Sequence, residues 1–418
     1  MRIESAQYGG RCACGKEHRM ATRLCVIEAG ALGKLEELLE SEGLAAKKRC
    51  AVYGSVTWAN PAFSHPRAEQ EIVLNSEGLH ADERSTAEVL RQLDEDTQLL
   101  LACGSGSIHD TVRYCAAQRG IPFVALPTAA SVDGFCSVVA ALTWQGYKKT
   151  VSAVAPTLVV ADLDVISCAP AYLTASGVGD VLGKYIALAD WRIAHALTGE
   201  AVCPVIYDIV TDAVKRIWDS CLDTLSGSME AYESVMYALL MSGLAMQLMG
   251  NSRPASGAEH HVSHLIEMRP AALGDVQSSA LHGEKVGVGT LLAAREYHRL
   301  AEIEDIAPYV KPYAPLDDGW LREFYGEKLY PIAAAENRDD CLAAVTPEAI
   351  VRAWPEIRAI VAEIPSEAEI YEKLAKLGAK RSLPDIEVPE ELSPVLIAHS
   401  PSVRNRLTLM RVRRMLKL

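Results

Sequence analysis

Three things are scarce in this sequence: phenylalanine, long apolar runs and clusters of positive charge. Only four of the 418 residues are Phe, so we expect a core built mainly from aliphatic side chains. No apolar run reaches the roughly 18 residues that a membrane-spanning helix needs. The first residues also lack the apolar segment of a signal peptide. We therefore expect no membrane span and a cytoplasmic location.

The charge balance disfavours binding to nucleic acid. The net charge is −13 at pH 7, from 41 Lys and Arg against 54 Asp and Glu. A protein that binds a phosphate backbone needs clustered Lys and Arg to replace the counterions. The hydrophobic share of 50% and the charged share of 23% are those of an ordinary globular protein. Because 418 residues exceed the size at which one core usually stops growing, we expect two domains.

Eleven cysteines are an odd number, and most of them stand alone in apolar segments such as LLLACGSGS and DGFCSVV. In a reducing compartment this pattern indicates buried thiols instead of disulfides. Cys12, Cys14 and His18 are the exception, because two close cysteines followed by a histidine could be half of a zinc site. No second Cys/His pair follows at zinc-finger spacing, so a solvated N-terminal hook without metal is the alternative.

Short apolar runs alternate with helical patterns over the first 170 residues. Several of these runs are continuous Val, Leu and Ile segments, which is typical of strands buried on both faces. The strand-helix-strand repetition predicts a parallel, doubly wound sheet that binds ligands at the carboxyl ends of its strands. The predicted strands are 23–29, 49–55, 71–75, 97–103, 122–127 and 157–166, with helices such as 30–44 and 85–95 between them.

From residue 171 the pattern becomes helical, with almost no strand signal. The longest helical stretches are 179–199, 228–250 and 282–300. We therefore predict a Rossmann-like dinucleotide-binding domain over 1–170 and an all-helical domain over 171–418. The basic segment 403–418 is predicted to be a last helix that packs through its Leu and Met face, with its arginines in solvent.

A loop rich in glycine and serine, CGSGS, follows the strand predicted at 97–103 and precedes a helix. Backbone amides and the helix dipole can converge on a pyrophosphate at such a place. The loop lacks the third glycine of the dinucleotide motif, since His109 stands there, and it lacks the lysine of a Walker A loop. A mere tight turn is the alternative. The loop 126–137, rich in small and hydroxyl residues, follows the next predicted strand, and two such loops would form a crevice.

Histidines cluster in the helical half. His260 and His264 are four residues apart and so share one face of a helix, and His282 follows eighteen residues later. Paired imidazoles suit a borderline divalent metal, and a carboxylate such as Asp180 would complete a three-ligand site with an open position. A cluster of core or interdomain hydrogen-bonding histidines is the alternative.

Several longer strings together resemble one family. They are GSGSIHD, IPFVALPTAASVDG, GVGDVLGKYIALADWR, EHHVSH and HGEKVGVG. With the opening CACGKEH, they resemble the bacterial branch of the sn-glycerol-1-phosphate dehydrogenases, in the superfamily of iron-containing alcohol dehydrogenases, glycerol dehydrogenases and dehydroquinate synthases. The resemblance runs from near residue 30 to the tail and implies the dehydroquinate synthase-like fold, a Rossmann-like domain followed by a helical one.

The resemblance also implies roles for single residues. Asp180, His260 and His282 would bind one divalent metal, Zn, Ni, Fe or Mn. Asp133 and His264 would be catalytic residues that contact the substrate, as Asp180 would. His264 is then a substrate contact and not a ligand. The implied contacts to NAD or NADP are Gly104, Gly106, Ser107, Ile108, His109, Asp110, Thr128, Ala129, Ala130, Ser131 and Ser137.

The activity that the resemblance implies is the reversible NAD(P)H-dependent reduction of dihydroxyacetone phosphate to sn-glycerol 1-phosphate. The alternatives are a glycerol or polyol dehydrogenase of the same superfamily, a dehydroquinate-synthase-like lyase, and a catalytically silent binding protein. The sequence departs from the family at Gly54, where an aspartate usually accepts hydrogen bonds from the adenine ribose; its loss leaves NADP possible. A homodimer is the commonest oligomer and is our expectation.

Overall fold

The computed structural model describes residues 1–144 and 147–418. None of the helices in this described part of the chain is long and apolar enough to cross a membrane. By contacts between Cα atoms the chain divides into two compact units: unit 1 consists of Met1–Val181 and Lys215–Asn251, and unit 2 consists of Leu182–Val214 and Ser252–Leu418.

All strands belong to unit 1. In chain order they are β1 (Arg2–Glu4), β2 (Gly10–Arg11), β3 (Glu17–His18), β4 (Leu24–Glu28), β5 (Arg49–Gly54), β6 (Gln70–Leu74), β7 (Leu99–Gly104), β8 (Phe123–Pro127), β9 (Val139–Trp144), β10 (Tyr147–Ser152) and β11 (Leu158–Asp162). Seven of them form one sheet in the order β1-β4-β11-β8-β7-β5-β6. β1 pairs antiparallel with β4, and the other six strands are parallel. The predicted parallel sheet is confirmed.

The α-helices are numbered along the chain as well. They are α1 (Leu35–Ser41), α2 (Ser55–Trp58), α3 (Glu83–Gln92), α4 (Gly106–Arg119), α5 (Leu163–Ile166), α6 (Ala171–Leu182), α7 (Lys184–Thr198), α8 (Pro204–Ser220), α9 (Met229–Met249), α10 (Ala258–Met268), α11 (His282–Ala301), α12 (Asp318–Asn337), α13 (Pro347–Val361), α14 (Glu367–Lys376), α15 (Ser393–His399) and α16 (Leu409–Val412).

Short 3₁₀ helices connect these elements. They are Ser5–Gln7, Ala31–Lys34, Asp133–Cys136, Cys221–Ser226, Ala271–Leu273, Ala307–Tyr309, Cys341–Ala344, Pro384–Ile386, Glu390–Leu392, Ser400–Val403 and Arg413–Met415. The stretch predicted as one helix over 30–44 is a 3₁₀ turn followed by α1.

The inner strands of the sheet are buried along their whole length, as their continuous apolar runs predict. β5, β7, β8 and β11 have no exposed residue. The strand predicted at 157–166 is too long, because residues 163–166 form α5. The Asp162 side chain accepts the Asp164 N–H at 3.0 Å and so caps this short helix directly after the strand.

β5 and β7 are neighbours in the sheet, but the strands that follow them in sequence lie on opposite sides of this pair. β6 lies beside β5 at the edge of the sheet, and β8 lies beside β7 toward its middle. Tyr53 pairs with Cys103, so Gly54 and Gly104 end the two strands at the same edge. Open α/β sheets bind ligands at such a switch point.

Unit 1 also contains α9, which follows the last strand by many residues. α9 packs against the 3₁₀ helix Asp133–Cys136. A Cβ atom on Gly243 would lie 2.9 Å from the carbonyl oxygen of Asp133, so this close contact needs glycine. The predicted domain boundary at residue 170 lies after the last strand. Compact unit 1 extends beyond that boundary, because it also includes most of α6 and all of α9.

Unit 2 is helical. Its core contains the fully buried rings of Trp191, Tyr297 and Trp354. α10 and α11 pack closely: a Cβ atom on Gly289 would lie 2.4 Å from the carbonyl oxygen of Glu259.

The helices predicted at 228–250 and 282–300 are observed as α9 and α11, while the stretch 179–199 is divided between α6 and α7.

The predicted last helix over 403–418 is wrong. The segment holds only the four-residue α16 and a 3₁₀ turn. Its arginines are not all in solvent, since Arg411 is completely buried. The Arg411 guanidinium donates to Asp340 Oδ1 at 2.9 Å and to Asn337 Oδ1 at 2.9 Å. These partners offset the cost of burying the charge, which periodicity cannot reveal.

Candidate active site

The predicted phosphate loop joins β7 to α4 in unit 1. Ser105 is the N-cap residue of α4, but its side chain makes no capping hydrogen bond. The Ser105 side chain thus does not cap the N–H groups in the first turn of this fourteen-residue helix, and such groups suit an anion. A Cβ atom on Gly104 would lie 2.7 Å from Ile108 Cγ1, so glycine lets the helix begin this close to the strand.

His109, in place of the third motif glycine, points into the protein. Its side chain is buried, with Nδ1 2.9 Å from the Ser105 carbonyl oxygen and the ring edge-to-face against Phe135 at 4.9 Å. Burial lowers the pKa of His109 to about 3. The ring is thus a neutral packing group, and any contact to a nucleotide would come from the backbone.

The second predicted loop lies beside the first. The Thr128 N–H donates to the Gly104 carbonyl oxygen at 3.0 Å, so the two loops meet as expected. Ala129, Ala130 and Ser131 are buried, whereas Thr128 is partly exposed, as are Ser107 and Asp110 near the start of α4. The Ser137 hydroxyl donates to the Val139 carbonyl oxygen at 2.9 Å and shapes the end of the second loop.

Arg113 holds the second loop in position, and the sequence did not single it out. Its guanidinium is fully buried and donates to the carbonyl oxygens of Gly134 at 2.6 Å and Phe135 at 2.8 Å. It also pairs with Asp110 Oδ1 at 2.6 Å. The spacing of Asp110 and Arg113, three residues apart on α4, is the signal that could have indicated this pair.

Asp133 and Asp180, the aspartates predicted to contact the substrate and the metal, are linked. The Asp133 N–H donates to Asp180 Oδ2 at 3.1 Å, and the Ser242 hydroxyl donates to Asp133 Oδ2 at 2.8 Å. All three residues are buried. Ser242, on α9, was missed because nothing in its local sequence separates it from a helix core position. Hydrogen bonding to both carboxylates fixes their orientation.

Gly54 ends β5 at the same edge of the sheet. A Cβ atom there would lie 2.7 Å from Ser76 Oγ, which accepts the Val56 N–H at 3.1 Å. The Ser76 hydroxyl therefore occupies the space that a side chain at position 54 would need.

Three of the predicted site histidines form a triangle in unit 2. His260 and His264 lie on α10, and His282 is the first residue of α11. The ring centroids are 5.8 Å apart for His260 and His264, 5.4 Å for His260 and His282, and 5.8 Å for His264 and His282. The close packing of α10 and α11 at Gly289 positions the three rings.

Carboxylates support two of these rings. His260 Nδ1 is 2.7 Å from Glu259 Oε1, and His282 Nδ1 is 3.1 Å from Glu267 Oε1. Because a carboxylate only accepts hydrogen bonds, each Nδ1 carries the hydrogen and each Nε2 keeps its lone pair. Histidines that bind metals are usually held in this way.

The start of α10 is fixed by a buried carboxylate. Asp190 accepts the Ala258 N–H at 2.9 Å, the Leu409 N–H at 2.8 Å and the Tyr297 hydroxyl at 2.7 Å. Burial raises the pKa of Asp190 to about 7 in spite of these donors. Since Ala258 is two residues before His260, this anchor also positions the histidine.

Glu267 and His264 complete the cluster. Ligand atoms of His264, Glu267 and His282 lie within 4.8 Å of one another, so this trio is a second possible metal set inside unit 2. Burial lowers the pKa of His264 well below its usual value, although the Glu267 carboxylate opposes the shift. Glu267 is three residues after His264 on the same helix face, and that spacing could have predicted it.

Comparison with known proteins identifies the family. Residues 26–170 match the model of the iron-containing alcohol dehydrogenase family. The glycerol-1-phosphate dehydrogenase [NAD(P)+] of Bacillus licheniformis is 32% identical over 412 residues, which cover 96% of this chain and 90% of that protein. The enzyme of the same name from Geobacillus stearothermophilus is 36% identical over 333 residues, covering 79% and 74%. The chain belongs to the glycerol-1-phosphate dehydrogenase family.

Solved structures of much lower sequence identity have the same fold. A probable glycerol dehydrogenase from Sinorhizobium meliloti matches with a TM-score of 0.55 at 20% identity, covering 81% of this chain and 97% of that one. A putative alcohol dehydrogenase from Ralstonia eutropha matches with a TM-score of 0.60 at 16% identity, covering 96% and 95%. The predicted dehydroquinate synthase-like fold is confirmed.

Proposed function

We propose that this protein catalyses the reversible NAD(P)H-dependent reduction of dihydroxyacetone phosphate to sn-glycerol 1-phosphate. The relatives that share most of its length are named for glycerol 1-phosphate and NAD(P)+. One observation carries the proposal for this chain: His260 and His282 lie with their rings 5.4 Å apart, and each is held at Nδ1 by a carboxylate. That pair is suited to bind a metal at which a ketone can be reduced.

The proposed metal ligands are Asp180 of unit 1 and His260 and His282 of unit 2. One carboxylate and two imidazoles suit a borderline divalent ion such as Zn, Ni, Fe or Mn, and three protein ligands leave a position for substrate. Asp180 accepts the Asp133 N–H at 3.1 Å, which fixes the direction of its carboxylate. The ion would act as a Lewis acid on the ketone oxygen.

The proposed nucleotide site is the edge of the sheet between the two loops of unit 1. The first turn of α4 would donate N–H groups to the pyrophosphate, and glycine at position 104 would allow close approach of the backbone. The nucleotide supplies the hydride. Gly54 itself has no carboxylate to repel a 2′-phosphate, so we expect the protein to accept both NADH and NADPH.

Asp133 and His264 are the proposed substrate contacts. The Ser242 hydroxyl holds Asp133 Oδ2 at 2.8 Å, which leaves the carboxylate oriented to accept a hydrogen bond from a substrate hydroxyl. His264 is neutral, since burial lowers its pKa, so its ring can both donate and accept a hydrogen bond. Positioning of this kind lowers the barrier by holding the carbonyl in line with the hydride donor.

The test is an assay of NADH and NADPH oxidation with dihydroxyacetone phosphate and with dihydroxyacetone, after chelation and metal add-back. We expect metal-dependent turnover of the phosphorylated ketone. Faster turnover of dihydroxyacetone would indicate the polyol dehydrogenase instead, and activity without net NADH consumption on a dehydroquinate precursor would indicate the lyase. No turnover of either ketone with any metal would contradict the proposal.

The expected homodimer is tested separately by light scattering.

A further inference from the structure

A small hairpin near the N-terminus brings together three side chains that the proposed reaction does not use. β2 and β3 pair Gly10 with His18 and Arg11 with Glu17. The loop between them is closed by the Cys12 N–H, which donates to the Lys16 carbonyl oxygen at 2.9 Å. This turn places the sulfur atoms of Cys12 and Cys14 and a ring nitrogen of His18 within 4.8 Å of one another.

The hydrogen bonding of His18 fixes which nitrogen faces the thiols. Its Nδ1 is 2.7 Å from the Leu248 carbonyl oxygen, and a carbonyl only accepts, so Nδ1 carries the hydrogen. Nε2 therefore keeps its lone pair and lies 3.3 Å from Cys14 Sγ. The ring is 3% exposed. A histidine that donates one N–H to a backbone carbonyl while its other nitrogen meets a second ligand has the arrangement of a metal-binding histidine.

The two thiols are accessible to an ion. Cys12 and Cys14 are partly exposed, and within residues 1–144 and 147–418 all eleven cysteines are thiols, without a disulfide. Most of the other cysteines are buried. Two thiolates and an imidazole are the donors that zinc prefers in structural sites.

We propose that Cys12, Cys14 and His18 bind a structural zinc ion. The fourth tetrahedral position is filled by a ligand outside this trio. The site is chemically distinct from the proposed active site, whose ligands are a carboxylate and two imidazoles and include no sulfur. The proposal does not depend on the proposed reaction.

The zinc ion would fasten the hairpin to the end of α9. His18 already contacts Leu248 on that helix, and the neighbouring Gln247 accepts the Ala21 N–H at 3.0 Å and donates to the Cys136 carbonyl oxygen at 2.5 Å. Cys136 ends the 3₁₀ helix that begins with Asp133. The ion thus stabilises the helix end that supports the loop carrying Asp133.

The test uses cobalt as a spectroscopic substitute for zinc. The full-length protein is produced in zinc-depleted, cobalt-supplemented medium, and its near-ultraviolet spectrum is recorded. We expect a sulfur-to-cobalt charge-transfer band in the wild type, in His260→Ala and in the surface control Cys168→Ser. The band should be lost in Cys12→Ser/Cys14→Ser. Its absence from the wild type, or its full retention in the double variant, would overturn the proposal and leave a metal-free thiol–imidazole hydrogen bond.

If the double variant fails to fold, zinc-edge X-ray absorption of the wild-type holoenzyme decides the question. We expect at least two sulfur neighbours and one imidazole nitrogen around zinc, and nitrogen and oxygen neighbours alone would overturn the proposal. Strong chelation should also lower the Tm of His260→Ala, which lacks a ligand of the proposed active-site metal but keeps Cys12, Cys14 and His18.

Discussion

His109 is a buried histidine that folding keeps neutral. Its pKa is lowered to about 3 by burial, while the unfolded chain binds the proton near pH 6.5. Between pH 3 and pH 6.5, position 109 binds a proton in the unfolded chain but not in the folded protein. The free energy of unfolding therefore falls as the pH falls below 6.5. The slope from one such group is about 1.4 kcal/mol per pH unit.

We predict that His109→Gln removes this part of the acid sensitivity. Urea unfolding of wild type and variant from pH 7 to pH 5 should give a shallower decline for His109→Gln, whatever the variant's stability at pH 7. The exposed His80→Gln is the matched control and should keep the wild-type decline. Parallel curves for wild type and His109→Gln would show that the ring does not stay neutral in the fold.

His264 is predicted to act on the substrate and not as a ligand of the catalytic metal. His264→Ala should lower turnover of dihydroxyacetone phosphate by about 10²-fold, because a lost positioning contact misplaces the reacting carbonyl. After metal add-back, the metal content of the His264→Ala variant should match that of the wild type. His260→Ala is the comparison and should lose both turnover and metal. Equal loss of metal in the two variants would make His264 a ligand.

Sequence reasoning reached some of these residues and missed others for a physical reason. His260 and His264 share a helix face, which spacing reveals. Glu259 is adjacent to His260, and neighbours on a helix do not normally face each other, so their hydrogen bond was not predicted. Ser242 meets Asp133 across 109 residues, a contact that only the folded chain creates.

The packing of α10 against α11 is the feature on which the histidine triangle depends. A methyl group at position 289 would lie 2.4 Å from a backbone carbonyl oxygen, so one helix must move. We predict that Gly289→Ala costs at least about 2 kcal/mol of stability. It should also lower turnover, because the two helices carry His260 and His282.

Thermal unfolding and steady-state assays of Gly289→Ala check this prediction. Gly33→Ala is the matched control, because a Cβ atom there meets nothing within 4 Å, and it should leave both Tm and turnover near the wild type. A Gly289→Ala variant with wild-type Tm would mean that α10 and α11 are less closely packed than described.

Among the elements, strands with continuous apolar runs were predictable and short or polar ones were not. Five of the six parallel strands have no exposed residue, and burial leaves its signature in Val, Leu and Ile content. β2 and β3 have two residues each and no such signature. The segment 403–418 looked helical by periodicity, but partners distant in the chain, such as Asp340 for Arg411, determine its path.

For the whole molecule, the strand pattern predicted a sheet domain followed by helices, and family membership is consistent with that order. The composition of the compact units was not predictable, because α9 joins unit 1 through contacts with residues more than 100 positions earlier. The proposed metal set takes Asp180 from unit 1 and two histidines from unit 2. The competing set, His264, Glu267 and His282, lies wholly in unit 2.

An anomalous difference map of the crystalline holoenzyme, recorded at the absorption edge of the metal that restores activity, distinguishes these two sets. We predict a peak bonded to Asp180 and to the Nε2 atoms of His260 and His282, with His264 free to contact the substrate. A peak bonded to His264 and Glu267, without Asp180, would contradict the proposed metal site.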